Sequence, residues 1–215
     1  MTISWYGHSC FKITNQGGHL TIITDPFDKK IGLNPPRCSA DIITVSHNHY
    51  DHNNVKAITG TPDNEPFIIN SPGEYEIKGI EVMGCSSFHD KEEKESSIIY
   101  LIEVDKIRIC HLGDLGQEKL TDKQLEIIGQ VNILMIPVGG NYTIGAKQAI
   151  KIIKQVEPNV IIPIHYKLPD LKIDLDDVKV FLKEMGLNGI MPVDKLTVKK
   201  KDLVDKEMEV VVMKP

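Results

Sequence analysis

One short segment concentrates side chains that bind metal ions. Residues 47–52 read His-Asn-His-Tyr-Asp-His, which places three imidazoles and one carboxylate within six positions. Imidazole and carboxylate groups are ligands of zinc and of neighbouring divalent ions. The segment follows a largely apolar run at 41–46 that is typical of a buried strand. A loop at the end of such a strand can wrap its side chains around one centre, so the pattern predicts a metal site rather than a His-rich surface loop.

Three more residues of ligand type follow apolar runs later in the chain. They are His89, Asp114 and His165, in the segments Phe-His-Asp, His-Leu-Gly-Asp and Ile-Pro-Ile-His. The four potential ligands at 47–52 would complete one tetrahedral site and leave no open position. Seven ligands are too many for one ion and are enough for two. Two ions about 3.5–4 Å apart can share a water molecule and a carboxylate, as in two-metal hydrolytic enzymes.

The order of these motifs resembles that of a known family. HNHYDH, FHD, HLGD and IPIHY are similar to the ordered ligand series of the metallo-β-lactamase superfamily. GHSCFKI, TDPF, PVGGNYTIGAKQA and VIIPIHYK resemble its compact branch, which includes ascorbate-6-phosphate lactonase-like proteins and uncharacterised Zn-dependent hydrolases. The resemblance extends from about Trp5 to Lys167. It implies an α/β (α+β) fold, a four-layer αβ/βα sandwich of two mixed β-sheets flanked by helices, with the metals at one edge.

The resemblance also implies a role for each candidate residue. Seven residues would ligate two divalent ions: His47, His49 and His89 the first, Asp51, His52 and His165 the second, and Asp114 both. Asp25 would orient a ligand histidine through the ring nitrogen that faces away from the metal, or would only close a Thr-Asp-Pro turn. Zn2+ is the first choice for the His-rich site. Mn2+, Fe2+ and Ni2+ stay open, because affinity order rather than sequence decides occupancy.

Three side chains are candidates for catalytic roles beside the metals. Asp51 and Asp114 would position the attacking hydroxide, and either could take up a proton. His8 stands in Tyr-Gly-His-Ser at the end of the first predicted strand. The seven predicted ligands already complete two metal sites without it. It is therefore either a histidine packed at a strand turn or a neutral hydrogen-bond donor to the substrate that ligates no metal.

These residues together predict a metal-dependent hydrolase with a dinuclear site. A water molecule that bridges the metals, with its pKa lowered toward neutrality, would attack a carbonyl carbon or a phosphorus atom. Small esters, lactones and phosphodiesters are the expected substrates. Two alternatives stay open, namely a non-catalytic metal-binding or regulatory module that keeps the fold, and a nuclease-type phosphodiesterase.

The elements that must hold these residues can be predicted from apolar periodicity. Strands are predicted in the first half at 3–6, 10–14, 19–24, 41–46, 67–70, 80–85, 97–104 and 107–112. Asp105-Lys106 suggests a tight hairpin between the last two strands, and Pro72-Gly73 suggests an ordinary turn.

The second half of the chain alternates between helices and strands. Helices are predicted at 121–129, 146–156 and 174–185, and strands at 132–137, 160–164, 191–198 and 209–213. Gly139-Gly140, before the second helix, are either turn glycines or a pocket rim whose amides face the substrate. Strands first and strand–helix alternation later indicate packed sheets with helices outside.

Composition and charge indicate one globular domain that acts on a small molecule. The chain has 215 residues, 41% hydrophobic and 26% charged, which is the globular balance, and we predict a single metallo-hydrolase domain over 1–215. A net charge of −5 gives no general attraction to phosphate backbones or anionic lipid. A small-molecule substrate is therefore favoured over nucleic acid, and a homo-oligomer stays open.

The sequence predicts a cytoplasmic protein with no membrane association. Its longest apolar runs are far too short to cross a bilayer, and its N-terminus lacks the basic and apolar segments of a signal peptide. The four cysteines are scattered, without a Cys-x-x-Cys pair, and are expected to be free thiols in a reducing compartment.

Overall fold

Thirteen strands and three α-helices form within residues 1–61, 64–90, 92 and 94–215, which the computed structural model describes. The strands are β1 (Thr2–Gly7), β2 (Cys10–Thr14), β3 (Thr21–Thr24), β4 (Ile42–Thr44), β5 (Phe67–Ile69), β6 (Gly73–Ile77), β7 (Ile80–Phe88), β8 (Ser96–Val104), β9 (Ile107–His111), β10 (Ile133–Pro137), β11 (Val160–Ile164), β12 (Leu196–Thr197) and β13 (Glu209–Val210). The helices are α1 (Asp122–Ile128), α2 (Ala146–Val156) and α3 (Val178–Glu184). None of the helices in the described part of the chain is long and apolar enough to span a membrane.

The strands form two mixed β-sheets. The first has the order β12-β1-β2-β3-β4-β5, with β3, β4 and β5 parallel. The second has the order β13-β11-β10-β9-β8-β7-β6, in which β6 to β9 form an antiparallel meander and β9, β10, β11 and β13 are parallel. Helix α1 packs on β7, and α2 packs on β10 and on α3. Two mixed sheets with helices confirm the predicted fold class.

Apolar side chains from both sheets form one core. Strands β4, β10 and β11 are buried along their whole length, as expected for parallel strands covered on both faces. Tyr100 of β8 places its hydroxyl oxygen 2.9 Å from the carbonyl oxygens of Val45 and Ile69, which ties the second sheet to the first. Lys78 and Asp41 add an ion pair between the sheets, with 2.6 Å between Nζ and Oδ1.

The strands that carry the candidate residues run in the same direction within each sheet. These strands are β1, β3 and β4 in the first sheet and β7, β9 and β11 in the second. A candidate residue stands one to three positions after the end of each of them: His8, Asp25, His47, His89, Asp114 and His165. Parallel strands bring their carboxyl ends to one edge of a sheet, so the topology collects residues that are distant in sequence.

Several predicted elements are confirmed to the residue. Strands β2 and β11 and helix α2 have the predicted bounds. The predicted hairpin between β8 and β9 is also present, and Asp105 and Lys106 both adopt positive φ values, 52° and 64°. Two consecutive residues with positive φ values are characteristic of a type I′ turn, whose twist matches that of the flanking strands.

Other bounds were predicted wrongly. The helix predicted at 174–185 is α3, which begins at Val178 because the Asp177 side chain caps it, accepting from the Lys179 backbone N–H at 2.8 Å. The chain before the cap stays extended, because the Asp176 N–H donates to the Gly139 carbonyl at 2.8 Å. The strands predicted at 191–198 and 209–213 are reduced to β12 and β13.

Two errors concern the first half of the chain. Strand β6 was not predicted, because Pro72-Gly73 was interpreted as a turn, yet Gly73 already pairs with Gly84 of β7. The strand predicted to start at His19 starts at Thr21 instead. The reason is local, since the Asn15 side-chain oxygen accepts hydrogen bonds from the backbone N–H groups of His19 and Leu20 and closes a loop.

Candidate metal centre

The predicted ligands meet in one cluster with two parts. Each residue of a part offers a nitrogen or carboxylate oxygen within 4.8 Å of those of the others. The first part consists of His47, His49 and His89, and the second of His8, Asp51, His52, Asp114 and His165. This grouping follows the predicted division between two metals, with His8 as an additional member of the second part.

The first part is built by the loop after β4 together with the end of β7. His47 Nε2 lies 3.0 Å from His49 Nδ1, and the ring centroids of His47 and His89 are 4.7 Å apart. Two nitrogens on one tetrahedral zinc ion, each about 2.0–2.1 Å from it, are roughly 3.3 Å apart. Burial and the neighbouring His52 lower the pKa of His47 to about 3, so its ring is neutral at pH 7, as a metal ligand must be.

Asp114 stands between the two parts. Its Oδ2 atom is 3.1 Å from His52 Nε2, 3.1 Å from His165 Nε2 and 3.8 Å from His89 Nε2. Burial alone would raise the pKa of Asp114, but the charges of His165 and His52 outweigh it and hold the pKa well below its usual range. An ionised oxygen that reaches rings of both parts has the position required of a bridging ligand.

A buried ring nitrogen without a partner shows that the cluster suits cations. Among the described residues, no hydrogen bond reaches His52 Nε2, although it lies 3.1 Å from Asp114 Oδ2. Buried polar atoms are nearly always satisfied, and imidazole with carboxylate is the donor set of zinc and related ions. The residues present therefore fit divalent metals.

Asp25 organises two of these histidines from behind. It is fully buried, and its Oδ1 atom accepts from the Ser46 backbone N–H at 2.7 Å. Its Oδ2 atom accepts from Ser46 Oγ at 2.7 Å and from His52 Nδ1 at 3.0 Å. Because the Ser46 hydroxyl donates its one proton to Asp25, it accepts from His47 Nδ1, 3.0 Å away. The Nδ1 atoms of His47 and His52 are thus held by Ser46 and Asp25, so both rings turn Nε2 toward the cluster, as the orienting role predicted for Asp25 requires.

His8 is held by a strained turn. Its ring is fully buried, and its Nε2 atom lies 3.1 Å from Asp51 Oδ2, to which it can donate. Burial, followed by the neighbouring His165, lowers the pKa of His8 to about 4, so the ring is neutral at pH 7. The partner of that donor is a predicted ligand, and donation to a substrate stays a prediction.

Three site residues adopt left-handed backbone conformations. The φ angles are 55° for His8, 38° for Asp25 and 50° for His165. Such conformations cost about 1–3 kcal/mol each for residues other than glycine and persist where the surrounding structure enforces them. Here the enforcing contacts include the His8 carbonyl, which accepts from the His165 N–H at 3.2 Å and from Trp5 Nε1 at 3.1 Å.

Some residues that build the site were not predicted. A Cβ atom on Gly116 would lie 1.9 Å from the His89 carbonyl oxygen, and one on Gly139 would lie 2.2 Å from that of His165. These glycines let the chain pass directly behind two predicted ligands. For Gly139 this close approach is a role beyond the turn or the pocket rim that the sequence suggested. Ser46 could have been found from its place between a buried strand and His47, but Gly116 carries no comparable signal.

The cluster opens into a cavity of about 830 Å³. Predicted ligands line its floor, namely His49, Asp51, His89, Asp114 and His165. The rest of the lining consists of Tyr50, Asp90, Glu92, Lys94, Glu95, Asn141, Tyr142, Lys172 and Ile173. The volume is in the range of small-molecule sites. The loop after Gly139-Gly140 therefore contributes to the rim through its side chains at 141 and 142.

Known proteins are similar to this chain in sequence and in fold. Residues 2–165, which include every predicted ligand, match the family model described as "Beta-lactamase superfamily domain". UPF0173 metal-dependent hydrolases of Thermoplasma volcanium and Methanopyrus kandleri are 30% and 25% identical, over 88% and 87% of this chain and 95% and 94% of theirs. A Thermotoga maritima structure, described as a candidate Zn-dependent hydrolase of the metallo-β-lactamase superfamily, is 37% identical with a TM-score of 0.78, covering 99% of this chain and 97% of that chain.

The hydrogen bonds around Asp25 predict how the affinity of each part of the cluster for a metal ion responds to substitution. Ser46→Ala removes the acceptor of His47 Nδ1 and should weaken one metal about 10-fold or more, because outer-sphere partners fix ligand tautomers. Asp25→Asn leaves one acceptor oxygen for three donors and should weaken both metals. The measurement is a competition titration of each variant against a chromophoric chelator.

The matched control is Thr44→Val. Thr44 also has a buried hydroxyl near the end of β4, but its oxygen has no hydrogen-bond partner among the described residues. Its replacement should leave both affinities as in the wild type. Wild-type affinities in Ser46→Ala would show that Ser46 does not orient His47.

Proposed function

The chain belongs to the metallo-β-lactamase superfamily of metal-dependent hydrolases, and from that premise we propose that it hydrolyses a small ester, lactone or phosphodiester at a dinuclear site. The observation that carries the proposal is Asp114 Oδ2, which lies within 3.8 Å of ring nitrogens from both parts of the cluster. Zinc is the first choice of metal, with Mn2+, Fe2+ and Ni2+ as alternatives.

The ligand assignment follows the two parts of the cluster. His47, His49 and His89 would hold one ion, Asp51, His52 and His165 the other, and Asp114 both. When bound, two such ions supply Lewis acidity and lower the pKa of water at the site. Asp25, Asp51 and Asp114 supply three negative charges that offset most of the charge of two divalent ions.

Asp51 and Asp114 are proposed to orient the attacking water. Both line the cavity, so their carboxylate oxygens can accept hydrogen bonds from a water molecule beside the substrate. Burial would raise the pKa of Asp51, but the hydrogen bond from His8 and the charge of His52 lower it. Because both groups bind protons weakly, they serve better as hydrogen-bond acceptors than as final proton acceptors.

A small-molecule substrate and a cytoplasmic location complete the proposal. The cavity volume supports the first, since about 830 Å³ accommodates a compact ester or lactone. The four cysteines support the second, because Cys10, Cys38, Cys85 and Cys110 are all free thiols, as is usual in a reducing compartment. A homo-oligomer is compatible with both.

Substitution of Asp114 tests the proposal. The zinc-loaded wild type should hydrolyse some members of a panel of lactones, aryl esters and phosphodiesters. Asp114→Ala should lower that turnover by about 10²-fold or more and reduce the metal content, because the bridging charge is lost. Asp114→Asn should be severely impaired too, since an amide supplies no negative charge. Turnover and elemental analysis are measured on the same samples.

Asp194→Asn is the control for that experiment, because Asp194 is exposed and its only ion-pair partner among the described residues is Lys214. It should behave as the wild type. An Asp114→Ala protein with full activity and full metal content would overturn the bridging assignment. Metal binding without turnover of any substrate by the wild type would favour the regulatory module over the hydrolase.

His8→Ala separates the roles open to His8. If the ring supports catalysis without ligating, the variant should keep its metal content and lose about 10²-fold or more in kcat/KM, the usual scale for one lost donor. His19→Ala, which alters an exposed histidine, is the control and should not change either value. Loss of an ion from His8→Ala would make His8 a ligand, and unchanged kinetics would leave it a packing residue.

A further inference from the structure

The lining of the cavity includes a cation without an ionic partner among the described residues. Lys172 belongs to this lining, and no ion pair joins it to a carboxylate of the described residues. The other lysine of the cavity, Lys94, is paired with Glu92. Lys172 is thus free to pair with a ligand.

The chain fixes the backbone of Lys172 while leaving its side chain exposed. The Lys172 N–H donates to the Ile31 carbonyl at 2.8 Å. Gly32 has a φ of +99°, and a Cβ atom there would lie 2.0 Å from the Asp170 carbonyl oxygen and 3.3 Å from Lys172 Cγ. Only glycine allows this approach, so the loop that presents Lys172 is seated directly against the turn that follows Ile31.

A second loop is tied to the first across the mouth. Asn141, at a φ of 56°, donates from Nδ2 to the Asp174 carbonyl at 2.7 Å. This bond joins the loop of Tyr142 to the loop of Lys172 and Ile173. Tyr142 and Tyr50 are 57% and 51% exposed and both line the cavity, so they offer apolar surface beside the cation. The Asn141 hydrogen bond therefore joins two loops that both contribute side chains to the cavity lining.

Among the described residues, no carboxylate of the cavity lining forms an ion pair with Lys172, and Glu92, which shares the lining with Glu95, is paired with Lys94. Asp90 accepts hydrogen bonds from the backbone N–H groups of Lys94 and Glu95, at 3.1 and 2.7 Å. Asp51 and Asp114 belong to the predicted metal cluster. An anion in the cavity would therefore find positive charge at two places, at the metals and at Lys172.

We propose that Lys172 binds a second anionic group of the substrate, a phosphate or a carboxylate, while the ester that reacts lies at the metals. The inference rests on the proposed function and narrows its substrate class to small esters or lactones with a non-reacting anionic group. A lysine ammonium is a compact charge on a flexible stem and suits either oxyanion. Tyr50 and Tyr142 cover the part of the substrate between the two groups.

The test measures binding rather than turnover, on the full chain loaded with zinc. The probes are alkylphosphonates with two to four methylene groups, whose phosphonate occupies the metals and whose bonds are not hydrolysed. Each is compared by calorimetric titration with a carboxyalkylphosphonate and an alkyldiphosphonate of the same length. The comparison isolates the second anion and separates carboxylate from phosphate-like recognition.

A second anion at the best chain length should tighten binding to the wild type about 10-fold, a moderate value for a partly exposed charged contact. In Lys172→Met this gain should fall below about 2-fold, while the affinity for the plain alkylphosphonate stays unchanged. Lys179→Met, which alters an exposed lysine of α3 outside the cavity lining, should keep the full gain.

The outcomes distinguish this inference from the proposed function. Plain alkylphosphonate binding with an equal gain in wild type and Lys172→Met would overturn the role of Lys172 and leave the dinuclear hydrolase intact. No gain from a second anion at any chain length would do the same. Failure of every phosphonate to bind the zinc-loaded wild type would overturn both.

Discussion

The ionised Asp114 carboxylate, at the centre of the buried cluster, is the constraint on which the rest of the structure depends. Burying such a charge costs several kcal/mol unless partners compensate it. The buried Asp25 carboxylate is compensated by the hydrogen bonds that it accepts from Ser46 and His52. Asp114 Oδ2 instead faces ring nitrogens, and at least one of them, His52 Nε2, makes no hydrogen bond within the described chain. The strand directions, the left-handed turns and the close-approach glycines all serve to hold this arrangement, which suits cations.

The cavity has a floor, formed by the predicted ligands, and a mouth, formed by the loops of Tyr50, Tyr142 and Lys172, and the two parts differ in how they are held. The floor lies at the carboxyl ends of buried strands, where packing fixes the predicted ligands. The mouth is made of loops that hydrogen bonds and one glycine contact hold in place, with Lys172 and two tyrosines as its side chains. Family membership therefore indicates the class of reaction, whereas we propose that the mouth selects the substrate.

Sequence patterns predicted the elements with a strong local signal. Fully buried β11 and the amphipathic α2 have the predicted bounds, because their apolar periodicity continues to their ends. Strand β6 and the start of α3 were missed, since cross-strand pairing and the Asp177 cap decide them. The ligand series was visible because the residue types are rare and clustered. The link from Asp25 through Ser46 to His47, and the position of Lys172 in the cavity lining, arise only when distant segments meet in space.

The number of metal ions per chain is the most direct test of the account. The full chain would be purified without chelator, reconstituted with zinc, freed of excess metal and analysed for elemental content against protein concentration. Two separate groups of donors joined by Asp114 predict about two divalent ions per chain. A value of one ion or fewer after reconstitution would contradict the dinuclear site.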